Sequence, residues 1–178
     1  MRTAGTIVAV GWVLCLGVGV VSAGQEPDMP TPPASSAQLN QLKKLAGRWE
    51  GTSQHEGGAG EPAAAEYRVT SGGSAVMETL FPGTPHEMVS VYHDSRTGKP
   101  AMTHYCMLGN QPELELAGSG EGILDFNLST ASDIPASELH MHALKLSWDG
   151  PDQLTQVWTS YKDGQPQGST TIRLKRVN

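Results

Sequence analysis

Residues 139–177 read "LHMHALKLSWDGPDQLTQVWTSYKDGQPQGSTTIRLKRV" and contain three short segments separated by two turn sequences. The segments, 139–148, 153–161 and 168–177, alternate apolar and polar side chains and are rich in Leu, Thr, Val and aromatic residues, which is typical of β-strands. The turns "DGPD" and "KDGQP" place Asp, Gly and Pro where tight hairpin loops need them. This stretch therefore predicts consecutive antiparallel strands.

The same pattern extends back along the chain to Gly47. Seven further strands are expected at residues 48–55, 63–71, 74–81, 86–93, 99–108, 113–118 and 122–129. The connections between them, among them "FPGTP", "DSRTG" and "GNQP", are too short for the helix that a parallel crossover requires. The sequence therefore predicts an all-β chain of about ten antiparallel strands in simple up-and-down order.

Ten consecutive strands cannot remain a flat open sheet, because twist accumulates and exposed edges invite aggregation. Closure into an up-and-down barrel removes the edges, and we predict this fold, with a β-sandwich as the alternative. A barrel of about eight strands is just filled by its own side chains, so ten strands predict an internal cavity.

One short helix precedes the strands, in "SSAQLNQLKKLAG" (residues 35–47). Leucines recur at positions 39, 42 and 45, a serine can cap the start, and a glycine ends the pattern. A helix this short needs packing to persist, so we expect it to close or cover one end of the barrel.

The N-terminus is typical of a secretory signal. A basic second residue is followed by an uncharged run over residues 7–21 and by small residues up to Ala23. The run is shorter than the roughly 20 residues of a spanning helix. We therefore predict a signal peptide at 1–23, a Pro-rich flexible linker at 24–36 and a barrel domain at 37–178, exported to the periplasm or secreted.

Charge and cysteine content restrict the partners. Without the signal, 11 basic residues face 18 acidic ones, a net charge of −7. This balance disfavours nucleic acid as a partner, and the chain has no basic cluster that would indicate membrane binding after signal cleavage.

The exported part keeps a single cysteine, Cys106, which cannot form an internal disulfide. The oligomeric state is left open.

Three stretches resemble known families. "LKKLAGRWEGT" (42–52), a short helix running into a Gly-x-Trp-x-Gly strand, resembles the start of lipocalin-like (calycin) barrels and of nitrobindin-type haem barrels. "YRVTSGGSAVMETLFPGTPHEMVSVYH" (67–93) and "THYCMLGNQP" (103–112) resemble more narrowly a bacterial lipocalin-like family of unknown function. The resemblance covers most of residues 40–178 and implies no established activity. The weaker likeness to nitrobindins implies a haem ligand late in the chain, for which His140 and His142 are the candidates.

The two histidines share a strand face with three apolar residues. Strict alternation puts His140 and His142 with Leu144, Leu146 and Trp148, which predicts that both point into the barrel, near Tyr161. Neutral imidazoles two residues apart could bind a divalent metal or haem iron, and the alternative is a polar rim contact. A third ligand would come from one of three residues, namely Glu78, His104 or Tyr105.

The stretch "MTHYCMLGNQP" (102–112) brings His, Tyr and Cys together. The expected hairpin sets His86 opposite Cys106 and Met88 opposite His104, with Tyr105 inward and Cys106 outward or at a rim. A Cys–His pair could act as nucleophile and base, which makes an enzyme at the His86, His104 and Cys106 end a further hypothesis. No orienting third group or electropositive setting accompanies this cysteine, so a packed strand thiol is favoured and no catalytic residue is assigned.

The cavity and the absence of a catalytic constellation favour binding of a small apolar or amphipathic molecule. Flexible methionines suit such a wall. No cofactor is required, with haem or a divalent metal as the alternative. The predicted ligand-binding residues are Trp49, Met77, Glu78, His86, Met88, Met102, His104, Tyr105, Asn110, His140, His142, Trp148 and Tyr161.

Overall fold

The structure, a computed structural model, describes residues 34–177. The predicted signal peptide and most of the predicted linker lie outside the described residues. The helix α1 spans Ala37–Lys43, and the Oγ of Ser36 caps it by accepting a hydrogen bond from the N–H of Leu39 at 3.0 Å. Within residues 34–177, no helix has the length and apolar character needed to cross a bilayer.

Ten strands follow the helix, and each is antiparallel to its neighbours. They are β1 (Gly47–His55), β2 (Gly60–Thr70), β3 (Ala75–Leu80), β4 (Met88–Asp94), β5 (Pro100–Tyr105), β6 (Glu113–Gly120), β7 (Ile123–Leu128), β8 (His140–Trp148), β9 (Gln153–Lys162) and β10 (Gln165–Val177). Sequential strands pair, and β1 pairs with β10, so the sheet closes. The prediction of an all-β, closed up-and-down barrel with one N-terminal helix is confirmed.

Helix α1 closes one end of this barrel. Leu39, Leu42 and Leu45 are buried in the common core, and each contributes about 1.5–3 kcal/mol relative to an exposed side chain. The indole N–H of Trp49 donates to the carbonyl of Leu45 at 2.8 Å, while the guanidinium of Arg176 lies 4.2 Å from the Trp49 ring centre. These contacts fix the start of β1 against the helix.

The glycine of the Trp-x-Gly motif permits the closure between β1 and β10. A Cβ added to Gly51 would lie 1.9 Å from the carbonyl oxygen of Arg173, a distance that no side chain can occupy. Gly51 pairs with Leu174 in this ladder. The absence of a side chain therefore lets the first and last strands approach closely.

The turn between β5 and β6 differs from the predicted one. As a result, the side chains of β5 that were expected to point into the barrel point outward. The N–H of Cys106 donates to the carbonyl of Asn110 at 3.1 Å, so the loop has three residues, 107–109, with Gly109 at φ +87°. Met102 consequently pairs with Leu114, and both are buried. Tyr105 is 51% exposed on the outer wall, so its predicted inward orientation is wrong.

The pairing of β4 with β5 is also shifted from the predicted register. Ser90, rather than Met88, lies opposite His104, and the displacement is two residues along the hairpin. A shift of two keeps the same side chains on each face. The predicted grouping of Met88, His104 and Cys106 on one face therefore persists.

Strand β8 contains a bulge that the alternation rule does not anticipate. Its register shifts between Met141 and Ala143, so His140 pairs with Tyr161 while Leu144 pairs with Trp158. Such an extra residue moves the side chains before it to the opposite face from the one expected. Leu144 points into the core as predicted, whereas the predicted inward orientation of His140 and His142 is wrong.

Candidate functional site

The barrel is open at the end opposite α1 and holds a cavity of about 640 Å³ there. Strand β1 leads from the helix to His55, which borders this cavity. We call the cavity the cup. Its apolar wall includes Leu80, Phe81, Met88, Leu108, Leu139, Met141 and Ile172. Polar side chains stand at its mouth, among them those of His55, Glu61 and His86.

Two aromatic rings form the floor of the cup. His104 on β5 and Trp158 on β9 border the cavity with their ring centres 4.5 Å apart. Each ring is fixed by a hydrogen bond: Oγ of Ser90 lies 3.0 Å from Nδ1 of His104, and the indole N–H of Trp158 donates to Oε1 of Gln156 at 2.9 Å. The floor is therefore held in position by the barrel itself.

His104 presents a neutral imidazole to the cup. The side chain is almost fully buried, and burial lowers the pKa of His104 to about 4 because the charged form loses its hydration. Its Nδ1 is engaged by Ser90, and its Nε2 makes no hydrogen bond with the residues that the structure describes. This nitrogen is therefore the polar group of the floor that a bound molecule can use.

Glu78 on β3 lies inside the barrel and is inaccessible to solvent. Its carboxylate accepts hydrogen bonds from Tyr67 Oη at 2.7 Å and Gln156 Nε2 at 2.5 Å on one oxygen, and from Tyr92 Oη at 2.8 Å on the other. Burial raises the pKa of Glu78, while these three donors oppose the shift. All three partners donate a hydrogen to Glu78, and an ionised carboxylate can only accept hydrogen bonds, so these contacts favour its ionised form.

The Glu78 cluster lies behind the floor and does not line the cup. Gln156 binds Glu78 through its Nε2 and Trp158 through its Oε1, so one amide joins the buried carboxylate to the floor. Glu78 itself does not border the cup. Glu78 is one of the predicted ligand contacts, but it lies behind the floor instead.

Three of the predicted ligand-binding residues, His86, Met88 and His104, do border the cup. Three others, Trp49, Met102 and Trp148, pack in or against the hydrophobic core. Met77 lies on the outer wall, where Arg68 contacts its sulfur at 3.9 Å. Tyr105 also faces outward, as described above.

Asn110, also predicted to bind ligand, fastens a loop instead. Its Nδ2 donates to Oε1 of Glu138 at 2.7 Å and to the carbonyl of Leu139 at 2.9 Å. These bonds tie the β5–β6 turn to the segment that precedes β8. Because Leu139 borders the cup, Asn110 shapes the mouth without lining it.

His140 and His142 form a cluster with Tyr161 outside the cup. Nε2 of His140 lies 3.2 Å from Nδ1 of His142, and Nδ1 of His140 donates to the carbonyl of Glu138 at 2.7 Å. The ring of His142 stacks on Tyr161 at 3.9 Å. Burial, and secondarily the neighbouring His140, lower the pKa of His142.

The haem or metal prediction for these histidines does not fit their position. They stand on the outer wall, so they cannot ligate a haem lodged in the barrel. Among residues 34–177, no group of three or more His, Cys, Asp or Glu side chains is arranged to hold a metal ion. Of the three expected third ligands, Glu78 and His104 lie inside the barrel, and Tyr105 is exposed on the outer wall.

Cys106 is buried and borders the cup, so an outward orientation, one of the two predicted positions, is wrong. Burial raises the pKa of its thiol. Within the described part of the chain, no hydrogen bond joins this thiol to His86 or His104, because His104 is directed to Ser90. The arrangement lacks the activation that a nucleophilic cysteine requires.

Trp158, Gln156 and Tyr67 belong to the site but are not among the residues predicted from the sequence. All three are buried and polar-tipped, and they define the floor and its support. The alternation of β9 groups Leu154, Gln156 and Trp158 on one face, and this signal was available in the sequence. The predicted pairing with β8 instead placed the opposite face inward.

Comparison with known proteins identifies a shared fold but no family. No family model and no curated protein matches the chain. A crystal structure of a protein of unknown function from the DUF3598 family of Nostoc punctiforme is similar at a TM-score of 0.52 and 14% identity, over 81% of this chain and 51% of that one. This chain therefore spans about half the length of the Nostoc protein.

A redesigned β-barrel also matches, at a TM-score of 0.39 and 16% identity over 82% of this chain and 100% of that one. A score this low supports no argument. The Nostoc likeness shows a shared barrel fold and nothing of activity, since that protein has no known function. The closed ten-stranded barrel of this chain fits a calycin-like fold.

Proposed function

We propose that this protein is an exported lipocalin-like carrier that binds a small apolar or amphipathic molecule in the cup. One observation carries the proposal: a cavity of about 640 Å³ with a largely apolar wall opens to solvent at one end of the barrel. Small-molecule sites have this size and character. The resemblance of residues 67–93 and 103–112 to a lipocalin-like family supports the same assignment.

The wall provides the binding energy. Side chains such as Phe81, Met88 and Ile172 border the cavity, and a ligand that covers about 200 Å² of apolar surface gains roughly 5 kcal/mol from that surface. Ordering the ligand offsets part of this gain. An apolar wall open to water is thus a favourable place for an apolar molecule.

The floor provides orientation without rearrangement. Ser90 holds His104 and Gln156 holds Trp158, so the polar groups at the base of the cup are already in place. A preformed site loses little conformational entropy when it binds. We therefore expect binding to leave the barrel unchanged.

Titration with N-phenyl-1-naphthylamine, a neutral dye that fluoresces in apolar sites, tests the proposal. We expect saturable binding of one dye molecule per chain. Met88→Trp places a bulky ring in the cup and should weaken binding at least about tenfold. Tyr105→Trp adds the same ring on the outer wall and serves as the matched control. Absence of saturable binding, or equal binding by the Met88→Trp variant, would overturn the proposal.

Export is tested separately by expressing the full chain with a C-terminal tag in a Gram-negative host. We expect the periplasmic fraction or the medium to contain a protein whose mass corresponds to cleavage after Ala23. Replacing Val13 and Leu14 with Arg interrupts the apolar run and should retain the uncleaved chain in the cytoplasm. A wild-type chain that stays uncleaved in the cytoplasm would contradict export.

A further inference from the structure

The charged and titratable side chains of the cup are few, and none of them is strongly basic. Within residues 34–177, no lysine or arginine borders it. Its titratable side chains are those of His55, Glu61, His86, His104 and Cys106. His55, Glu61 and His86 are exposed at the mouth, where water screens charge. An anionic headgroup that reaches the floor therefore finds no cationic partner.

The groups behind the floor disfavour an anion further. Glu78 lies fully buried in the barrel, linked to the floor through Gln156 and Trp158. A carboxyl group carries no positive charge in either protonation state, so Glu78 offers a bound anion no cationic partner. Removing an unpaired carboxylate from water costs several kcal/mol in any case.

A cation is also poorly accommodated at the floor. The floor side chains, His104 and Trp158, carry no negative charge at neutral pH, and neither does Cys106, which borders the cup. The donors around Glu78 occupy both of its oxygens. A buried ammonium group would lose its hydration without gaining an ion pair.

A neutral hydrogen-bonding group, by contrast, finds a suitable partner at the floor. His104 is fixed through Nδ1 by Ser90, and its Nε2 makes no bond within the described part of the protein. A hydroxyl or amide can pair with this nitrogen in either tautomer, because each can donate and accept. The surrounding wall then covers the apolar remainder of the molecule.

We propose, on the basis of the proposed carrier function, that the cup selects an electrically neutral ligand whose hydroxyl- or amide-type headgroup bonds Nε2 of His104 at the floor. A free fatty acid anion or an alkylammonium ion of the same chain length is rejected. Apolar contact supplies the affinity, and the uncharged floor supplies the specificity.

Competition against N-phenyl-1-naphthylamine at pH 7.5 tests this inference with 1-decanol, decanoate and decylammonium, which share one alkyl chain. We expect decanol to displace the dye at concentrations at least about tenfold lower than either ion. Equal or tighter binding of decanoate or decylammonium would overturn the selectivity. Failure of the dye itself to bind would instead overturn the carrier function, so the two failures are distinguishable.

Variants of His104 test the contact. His104→Leu should weaken decanol binding about five- to tenfold more than it weakens dye binding, because only decanol carries a hydroxyl for Nε2. His104→Gln keeps a hydrogen-bonding group and should recover part of the loss, which separates the contact from damage to the fold. His142→Leu alters a histidine on the outer wall and is the control. Unchanged decanol affinity in folded His104→Leu and His104→Gln would overturn the assigned contact.

Discussion

Ser90 and His104 lie directly opposite each other on β4 and β5, and their side chains meet inside the barrel with 3.0 Å between Oγ and Nδ1. Both residues are almost fully buried. The pair places a fixed imidazole at the base of the cup, and burial keeps that imidazole neutral. One cross-strand contact thus determines both the chemistry of the floor and part of the pH response of the protein.

The free energy of unfolding should fall as pH drops from 6.5 towards 4. The unfolded chain binds a proton at His104 near its ordinary pKa of 6.5, whereas the folded chain does so only near 4. The unfolded state therefore binds more protons in this window, and stability lost on acidification reaches roughly 3 kcal/mol at full protonation. Urea unfolding at pH 7 and pH 4 of wild type and His104→Gln measures the difference.

Two other groups must be separated from this effect. The lowered pKa of His142 acts in the same direction, so a His142→Leu variant should keep most of the acid sensitivity. The raised pKa of Glu78 acts oppositely: its contribution is full below 4.5 and decreases as pH rises through the folded value. Identical pH dependence in wild type and His104→Gln would contradict the assignment.

Glu78→Ala should destabilise the barrel by about 3 kcal/mol or more. The change leaves the hydroxyls of Tyr67 and Tyr92 without their acceptor in a dry interior and removes one of the two acceptors of the Gln156 amide. Chemical denaturation provides the measurement. Glu113→Ala, at an exposed position on β6, should change stability by less than about 0.5 kcal/mol. Similar small losses in both variants would show that the Glu78 cluster is dispensable.

Cys106 should react slowly with iodoacetamide at pH 7.5. Its raised pKa reduces the thiolate fraction, and the side chain is buried beside the cup. We expect a rate at least about tenfold below that of the same chain unfolded in urea. Occupation of the cup by decanol should slow the reaction further. A native rate equal to or above the unfolded one would revive the nucleophile hypothesis.

Gly51→Ala should cost about 3 kcal/mol, because the new methyl group would overlap the carbonyl of Arg173 and force β1 and β10 apart. Gly60→Ala is the matched control, since a Cβ at that position meets nothing within 4 Å. Thermal unfolding of both variants gives the comparison. Equal melting temperatures would contradict the close approach of the two strands.

Much of the fold could be predicted because its signals are local. The cap at Ser36 and the turn sequences indicated the helix and all ten strands, and the observed bounds differ from the expected ones by a few residues. The site was harder to predict. Trp158 and Gln156 were missed because their inward facing depends on how β9 pairs with β8, which is a relation between strands.

The sequence by itself determined the succession of hairpins, since turn residues and alternating side chains act over a few positions. The tertiary structure alone decided which face points inward. The three-residue loop at 107–109 and the bulge between Met141 and Ala143 each change the phase of a strand by one residue. Because side chains alternate with a period of two, such a shift moves Tyr105 and His142 outside and Cys106 to the cup.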